Sequence, residues 1–129
     1  MINIKDLEKE FNKINTFARY DKSLVYNSNL VYRDGSNESF CYSISQVEKG
    51  YMITDISFTY NKLLKEDVDL LEDEDVIEYR NRVLNLFNVG MGESNELYII
   101  VKSLQEIPLA LGNLSQAMTL LTYIPLQFE

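Results

Sequence analysis

Between residues 23 and 60 the chain is a series of short apolar, aromatic and β-branched runs separated by turn residues, a pattern that commits it to an antiparallel sheet. The runs are Leu24-Val25-Tyr26, Leu30-Val31-Tyr32, Phe40-Cys41-Tyr42-Ser43-Ile44 and Tyr51-Met52-Ile53-Thr54. Asp34-Gly35-Ser36-Asn37 and Glu48-Lys49-Gly50 have the composition of hairpin loops. Phe40, Tyr42 and Ile44 alternate with Cys41, Ser43 and Ser45, as a half-buried strand requires. The expectation is a meander of three or four strands, with residues 57–64 fitting either a further strand or a short helix.

The flanking segments change period. Ile4, Leu7, Phe11, Ile14 and Ala18 recur at three- and four-residue steps, which predicts an amphipathic helix over 4–19 with Asn3 as its N-cap. An acidic link over 66–75 carries Leu70 and Leu71. A second helix is expected over 74–87, with Val76, Tyr79, Val83 and Phe87 on one face and Ile77, Arg80 and Leu84 beside it. Its acidic first turn suits the helix dipole, and Gly90 and Gly92 are read as ending it. The apolar run Leu97 to Val101 predicts a buried strand within 96–102. Pro108 suits the first turn of a last helix over 108–123, and Pro125 limits it. The order implies one α+β domain over 1–129, with a mostly antiparallel sheet of four to five strands and about three helices packed on one face.

At 129 residues and 46% hydrophobic composition, such a domain buries enough core to fold without a disulfide or metal. The single thiol, Cys41, forms no internal disulfide and reads as a packed small hydrophobe. No apolar run reaches the ~18–20 residues that span a bilayer, and the charged N-terminus lacks the apolar region of a signal peptide. The expectation is a cytoplasmic protein without membrane association. Abundant Asn, Ile, Lys and Tyr match AT-rich codons, hence a low-GC bacterium or its phages.

The formal charge is -8 with no histidine. That balance opposes direct binding to nucleic acid, whose phosphates need Lys and Arg to neutralise them. The excess is localised. Glu66, Asp67, Asp69, Glu72, Asp73, Glu74, Asp75 and Glu78 fall within thirteen residues that contain no Lys or Arg, and the other twelve acids balance the twelve bases. Carboxylates on adjacent helical turns lie about 5–6 Å apart, comparable to the phosphate spacing along a DNA strand. The strip is either a solvated helix start or a surface for a basic partner, as in anti-restriction and anti-CRISPR proteins. The segment lacks the glycine and alternating ligands of an EF-hand loop, so no metal or other cofactor is expected.

Other chemistry is sparse. Without histidine, Ser–His and Cys–His pairs are excluded. Asp34, Glu48 and Asp55 with Lys49 have the residue types of a metal-dependent nuclease, which is the alternative reading, but Glu48 and Lys49 precede Gly50 in an apparent turn. Gly90-Met91-Gly92 lacks the third glycine of a dinucleotide fingerprint and the lysine of a P-loop. Tyr20, Tyr26, Tyr32, Tyr42, Tyr51 and Tyr60 suit partly buried sheet positions or a protein-binding surface. The last helix is apolar on more than one face, which fits a core helix or, as a third reading, a structural dimer contact.

Gly50-Tyr51-Met52-Ile53-Thr54-Asp55, Phe87-Asn88-Val89-Gly90, Glu96-Leu97-Tyr98 and Ser115-Gln116-Ala117-Met118 together resemble a family of small bacterial and phage domains of unknown function. The resemblance covers roughly residues 25–124. It implies a hairpin ending in an Ile/Leu-Thr-Asp signature, then a helix, a Gly-containing turn, a strand and a closing helix, in a mobile-element setting. The family pattern has Gly soon after the Thr-Asp pair, where this chain has Ile56-Ser57. The functional expectation is a non-enzymatic inhibitor or interaction protein. It would present the eight acids to a basic protein partner such as a bacterial defence nuclease, as a monomer or homodimer.

Overall fold

The computed structural model describes residues 1–32, 36 and 38–127. Helix α1 (Ile4–Ile14) is capped by Asn3, whose side-chain oxygen accepts from the backbone N–H groups of Lys5 and Asp6 at 2.9 and 3.3 Å. It stops at Asn15, short of the expected residue 19. There the backbone turns extended, and the Asn15 amide oxygen accepts from the Tyr26 hydroxyl at 2.7 Å and the Asn29 N–H at 3.2 Å. Thr16–Tyr20 instead form strand β1, which pairs antiparallel with β2 (Ser23–Val31) across an Asp21-Lys22 turn. Thr16, Phe17 and Tyr20 favour an extended pleat, and sheet pairing overrides the helical spacing of Ala18.

Strand β3 (Ser39–Val47) follows, then a Glu48-Lys49 turn and β4 (Gly50–Thr54). Gly50 has φ 153°, and a Cβ there would overlap the Val101 carbonyl oxygen, so only glycine lets β4 lie against its neighbour. A bulge between Asn27 and Val31 bends β2, and the buried Ser28 hydroxyl donates to the Phe40 carbonyl at 2.9 Å to hold it. The expected hairpin loop at 34–37 lies, except for Ser36, outside the described residues.

The stretch 57–64 resolves as helix, within α2 (Phe58–Lys65). Helix α3 (Glu74–Phe87) ends on Asn88 at φ 55°, a left-handed residue that does the work expected of the glycines. Gly90 opens a two-residue strand, β5 (Gly90–Met91), paired with β6 (Leu97–Val101). A short turn (Leu104–Glu106) leads into α4 (Ile107–Thr122) and a final turn α5 (Ile124–Gln127).

The result is the α+β architecture expected. Among the described residues the sheet is antiparallel with the order β1-β2-β3-β4-β6-β5, the short β1 and β5 being the additions at its edges. Helices α2, α3 and α4 form the second layer. Phe40, Tyr42, Ile44 and Ile53 project from the sheet toward Leu114, Ala117, Met118 and Leu121 of α4, which are fully enclosed. That burial puts one apolar face of the last helix in the core, where truncating Leu114 to Ala costs about 2–5 kcal/mol, while Leu109 of the same helix stays 73% exposed. Helix α1 stands apart from this layer, and its Ile4, Leu7, Phe11 and Ile14 remain exposed. No helix among the described residues is long and apolar enough to cross a membrane.

Candidate functional site

The eight acids occupy the α2–α3 connection and the first turns of α3. Seven are exposed and Asp69 is half-buried. The segment is tied down from beneath. Leu70 is 0% exposed and Val76 is buried. The Arg80 guanidinium donates to the Leu70 carbonyl at 2.8 Å, and the Val68 N–H donates to the Leu63 carbonyl at 2.9 Å. An acidic link that looks like a free loop in sequence is therefore held on apolar anchors.

Two of the acids serve the backbone. Asp69 accepts from the Leu71 N–H at 2.9 Å and the Tyr60 hydroxyl at 3.3 Å. Asp73 is the N-cap of α3, accepting from the Asp75 and Val76 N–H groups at 2.9 and 3.2 Å. The side chains of Glu66, Asp67, Glu72, Glu74, Asp75 and Glu78 make no hydrogen bond or ion pair among the described residues.

This acidic rim borders a cleft of about 320 Å³ between the α2–α3 connection and the start of α5. Its floor is Val68, Val76, Ile124 and Pro125, and its edge carries Glu66, Asp67, Asp69 and Asp73. An apolar floor beneath a carboxylate edge suits a lysine or arginine side chain, whose methylene stem packs while its charged head bonds outward. Ile124 and Pro125 lie about fifty residues further along the chain, so no local stretch of sequence contains this cleft. Among the described residues no three His, Cys, Asp or Glu side chains are gathered as a metal site.

Asp55 belongs to a different structure. Its residue is 0% exposed at the end of β4. One carboxyl oxygen accepts from the N–H groups of Ser57 (3.0 Å) and Leu97 (2.9 Å), and the other accepts from the Thr59 N–H (3.1 Å). The Thr59 hydroxyl lies 3.3 Å from the Tyr32 hydroxyl. Burial pushes the carboxyl above its ordinary value, and the hydrogen bonds from Leu97, Thr59 and Ser57 pull the other way. Asp55 thus fastens β4, the start of α2 and the start of β6 together. Glu48 is exposed in the β3–β4 turn, and Asp34 lies outside the described residues. The turn after Asp55 carries Ile56 and Ser57 at φ 57° and 66°, so the backbone keeps a glycine-like conformation without glycine.

The tyrosines divide. Tyr32 and Tyr42 are buried, Tyr26, Tyr51 and Tyr60 are half-buried, and Tyr20 is exposed. The Tyr42 hydroxyl bonds Ser115 of α4, and burial pushes its pKa up to about 12. Cys41 is half-buried in β3, where burial pushes its thiol up as well. No family model, curated protein or solved structure matches the chain, so the resemblance rests on its quoted residues alone.

Proposed function

We propose that this protein is a non-catalytic binding protein that presents its 66–78 acidic rim to a basic, nucleic-acid-handling protein, and that the reading extends to an inhibitor of phage or mobile-element origin. The observation that carries it is six unpaired carboxylates set on a buried anchor beside a cleft with an apolar floor. A solvated helix start needs acids only at its cap and first turn. Here Glu66, Asp67 and Glu72 lie before the cap, and Glu78 lies beyond the first turn. Electrostatics of this kind steer a basic partner from solution and weaken with salt. A cytoplasmic location goes with such a partner.

The test is a titration with a lysine- and arginine-rich nonapeptide, followed by backbone amide shifts. The expected shifts concentrate at 66–78 and around Ile124, weaken with added salt, and vanish when Glu66, Asp67, Glu72, Glu74, Asp75 and Glu78 are replaced by their amides. Asp69 and Asp73 stay in place so that the backbone they hold is kept. Shifts that survive this neutralisation overturn the reading.

A further inference from the structure

At the opposite end of α4, whose sixteen residues extend roughly 24 Å, lies a second concavity of about 360 Å³. It is bounded by the β1–β2 hairpin, the inner face of β3 and β4, and the approach to α4. Its character is the reverse of the acidic rim. A chain with twenty acids and twelve bases places Arg19 and Lys22 in this lining and no Asp or Glu. Neither cation makes an ion pair or side-chain hydrogen bond among the described residues.

The rest of the wall is apolar and aromatic. Leu24 and Ile44 form sheet-side wall, Tyr51 stands at one side, and Phe17 and Leu104 project at the mouth, 63% and 62% exposed. Strand alternation explains the arrangement. Phe17 pairs with Tyr26 and Arg19 with Leu24, so both point to the face that carries the helices. Among the described residues, the helical lining of this part of the face comes from Ile107 and Pro108 at the start of α4.

We propose that this groove binds a small amphiphilic anion, a carboxylate or sulfonate joined to an apolar body of about ten heavy atoms. The body would lie on Leu24, Ile44 and Tyr51 and cover Phe17 and Leu104, while Arg19 and Lys22 take the charged end. A pocket of this size, mostly apolar with a few convergent polar groups, has the make-up of a small-molecule site. The local charge selects the sign of the ligand, because an anion finds two unpaired cations and no carboxylate in this lining. Arg19 adds a planar fork of donors suited to two carboxylate oxygens. The acidic rim lies at the other end of α4, so the two sites stand or fall separately.

The probe is octanoate, titrated into the wild-type protein with amide shifts as readout and octanol as the uncharged control. The expected result is saturable shifts at Arg19, Leu24, Tyr51 and Ile107, with octanol about tenfold weaker, the equivalent of one charge-assisted contact partly screened by solvent. The double variant Arg19→Gln/Lys22→Gln, both at exposed positions, is expected to bind octanoate only as weakly as octanol while its circular dichroism is unchanged. Equal binding of octanol and octanoate by the wild type overturns the proposal. So do shifts located elsewhere, or none up to about 10 mM, where the affinity is too weak for a formed pocket.

Discussion

Replacing Asp55 by alanine should be among the most damaging single changes on this protein's polar groups. The carboxyl accepts from three backbone N–H groups. Of the donors, Thr59 and Leu97 belong to residues with 0% exposure, so water cannot replace the lost acceptor. A buried donor left unsatisfied costs about 1–3 kcal/mol. The Ser57 N–H is partly open and can take a water, so it adds little. Asp55→Ala should therefore lose about 3–5 kcal/mol, from a total near 5–15 kcal/mol for a domain of this kind. Asp55→Asn keeps an oxygen for Leu97 and Ser57 but turns an NH2 group toward the Thr59 N–H, for a loss of about 1–3 kcal/mol. Urea denaturation followed by circular dichroism reads both. With a slope of about 2 kcal/mol per molar, alanine should lower the midpoint by about 2 M and asparagine by about 1 M. A loss below about 1 kcal/mol for alanine would falsify the assignment of Asp55 as the fastener of β4, α2 and β6, and would return it to the list of available carboxylates.

Three further outcomes follow from the geometry. Asp73→Ala should cost about 1 kcal/mol through loss of the α3 N-cap, whereas Glu72→Gln should leave thermal stability within about 0.5 kcal/mol; equal effects would contradict the division of the acids into scaffold and surface. Ile56→Gly should be more stable than Ile56→Ala by about 1 kcal/mol, because the left-handed backbone at φ 57° penalises any Cβ; the ordinary order, alanine above glycine, would show that the turn relaxes. Burial holds the hydroxyls of Tyr42, Tyr32 and Tyr26 above their ordinary value of 10.0. The folded state therefore retains protons that the unfolded chain releases, so this contribution to stability is complete below pH 10 and is lost as pH rises toward 12. Absorbance of tyrosinate should therefore include a cooperative rise that coincides with unfolding, and the absence of such a rise would refute the burial.

Much of the fold was legible because it repeats a period. Val76, Val83 and Leu84 mark α3, and Leu114, Ala117, Met118 and Leu121 mark α4, each with its pattern matched by burial, whereas Leu97 to Val101 mark β6 as a strand but not as a buried one, since only Leu97 is enclosed and Ile100 is 55% exposed. The errors lie where local pattern and tertiary partner disagree. Ala18 continues the helical spacing of α1, yet residue 18 pairs with Val25 in a sheet, and Asn15 breaks the helix by bonding Tyr26 and Asn29. Gly90 resembles a helix stop, but Asn88 takes the left-handed position and frees Gly90 to pair with Tyr98.

The sites were legible in part. A run of carboxylates announces itself in sequence, and so the acidic rim was visible as residues. That Leu70 and Arg80 hold it, or that Ile124 and Pro125 complete a cleft, depends on contacts across the fold. Asp55 drew attention as a carboxylate near a turn, and its burial is set by Leu97, forty-two residues later. The cationic groove is assembled from four separated segments, and no short stretch of sequence contains it.

The central claim is that the exposed acids of 66–78 recruit a basic protein. The most direct measurement is affinity capture from a low-GC bacterial lysate, with wild type and the six-acid amide variant as paired baits, at about 50 mM and about 500 mM salt, which bracket a Debye length falling from about 14 to 4 Å. The expected result is a basic nucleic-acid-handling protein retained by wild type at low salt, released at high salt, and absent from the variant. Recovery of the same partner by both baits at both salts would contradict it.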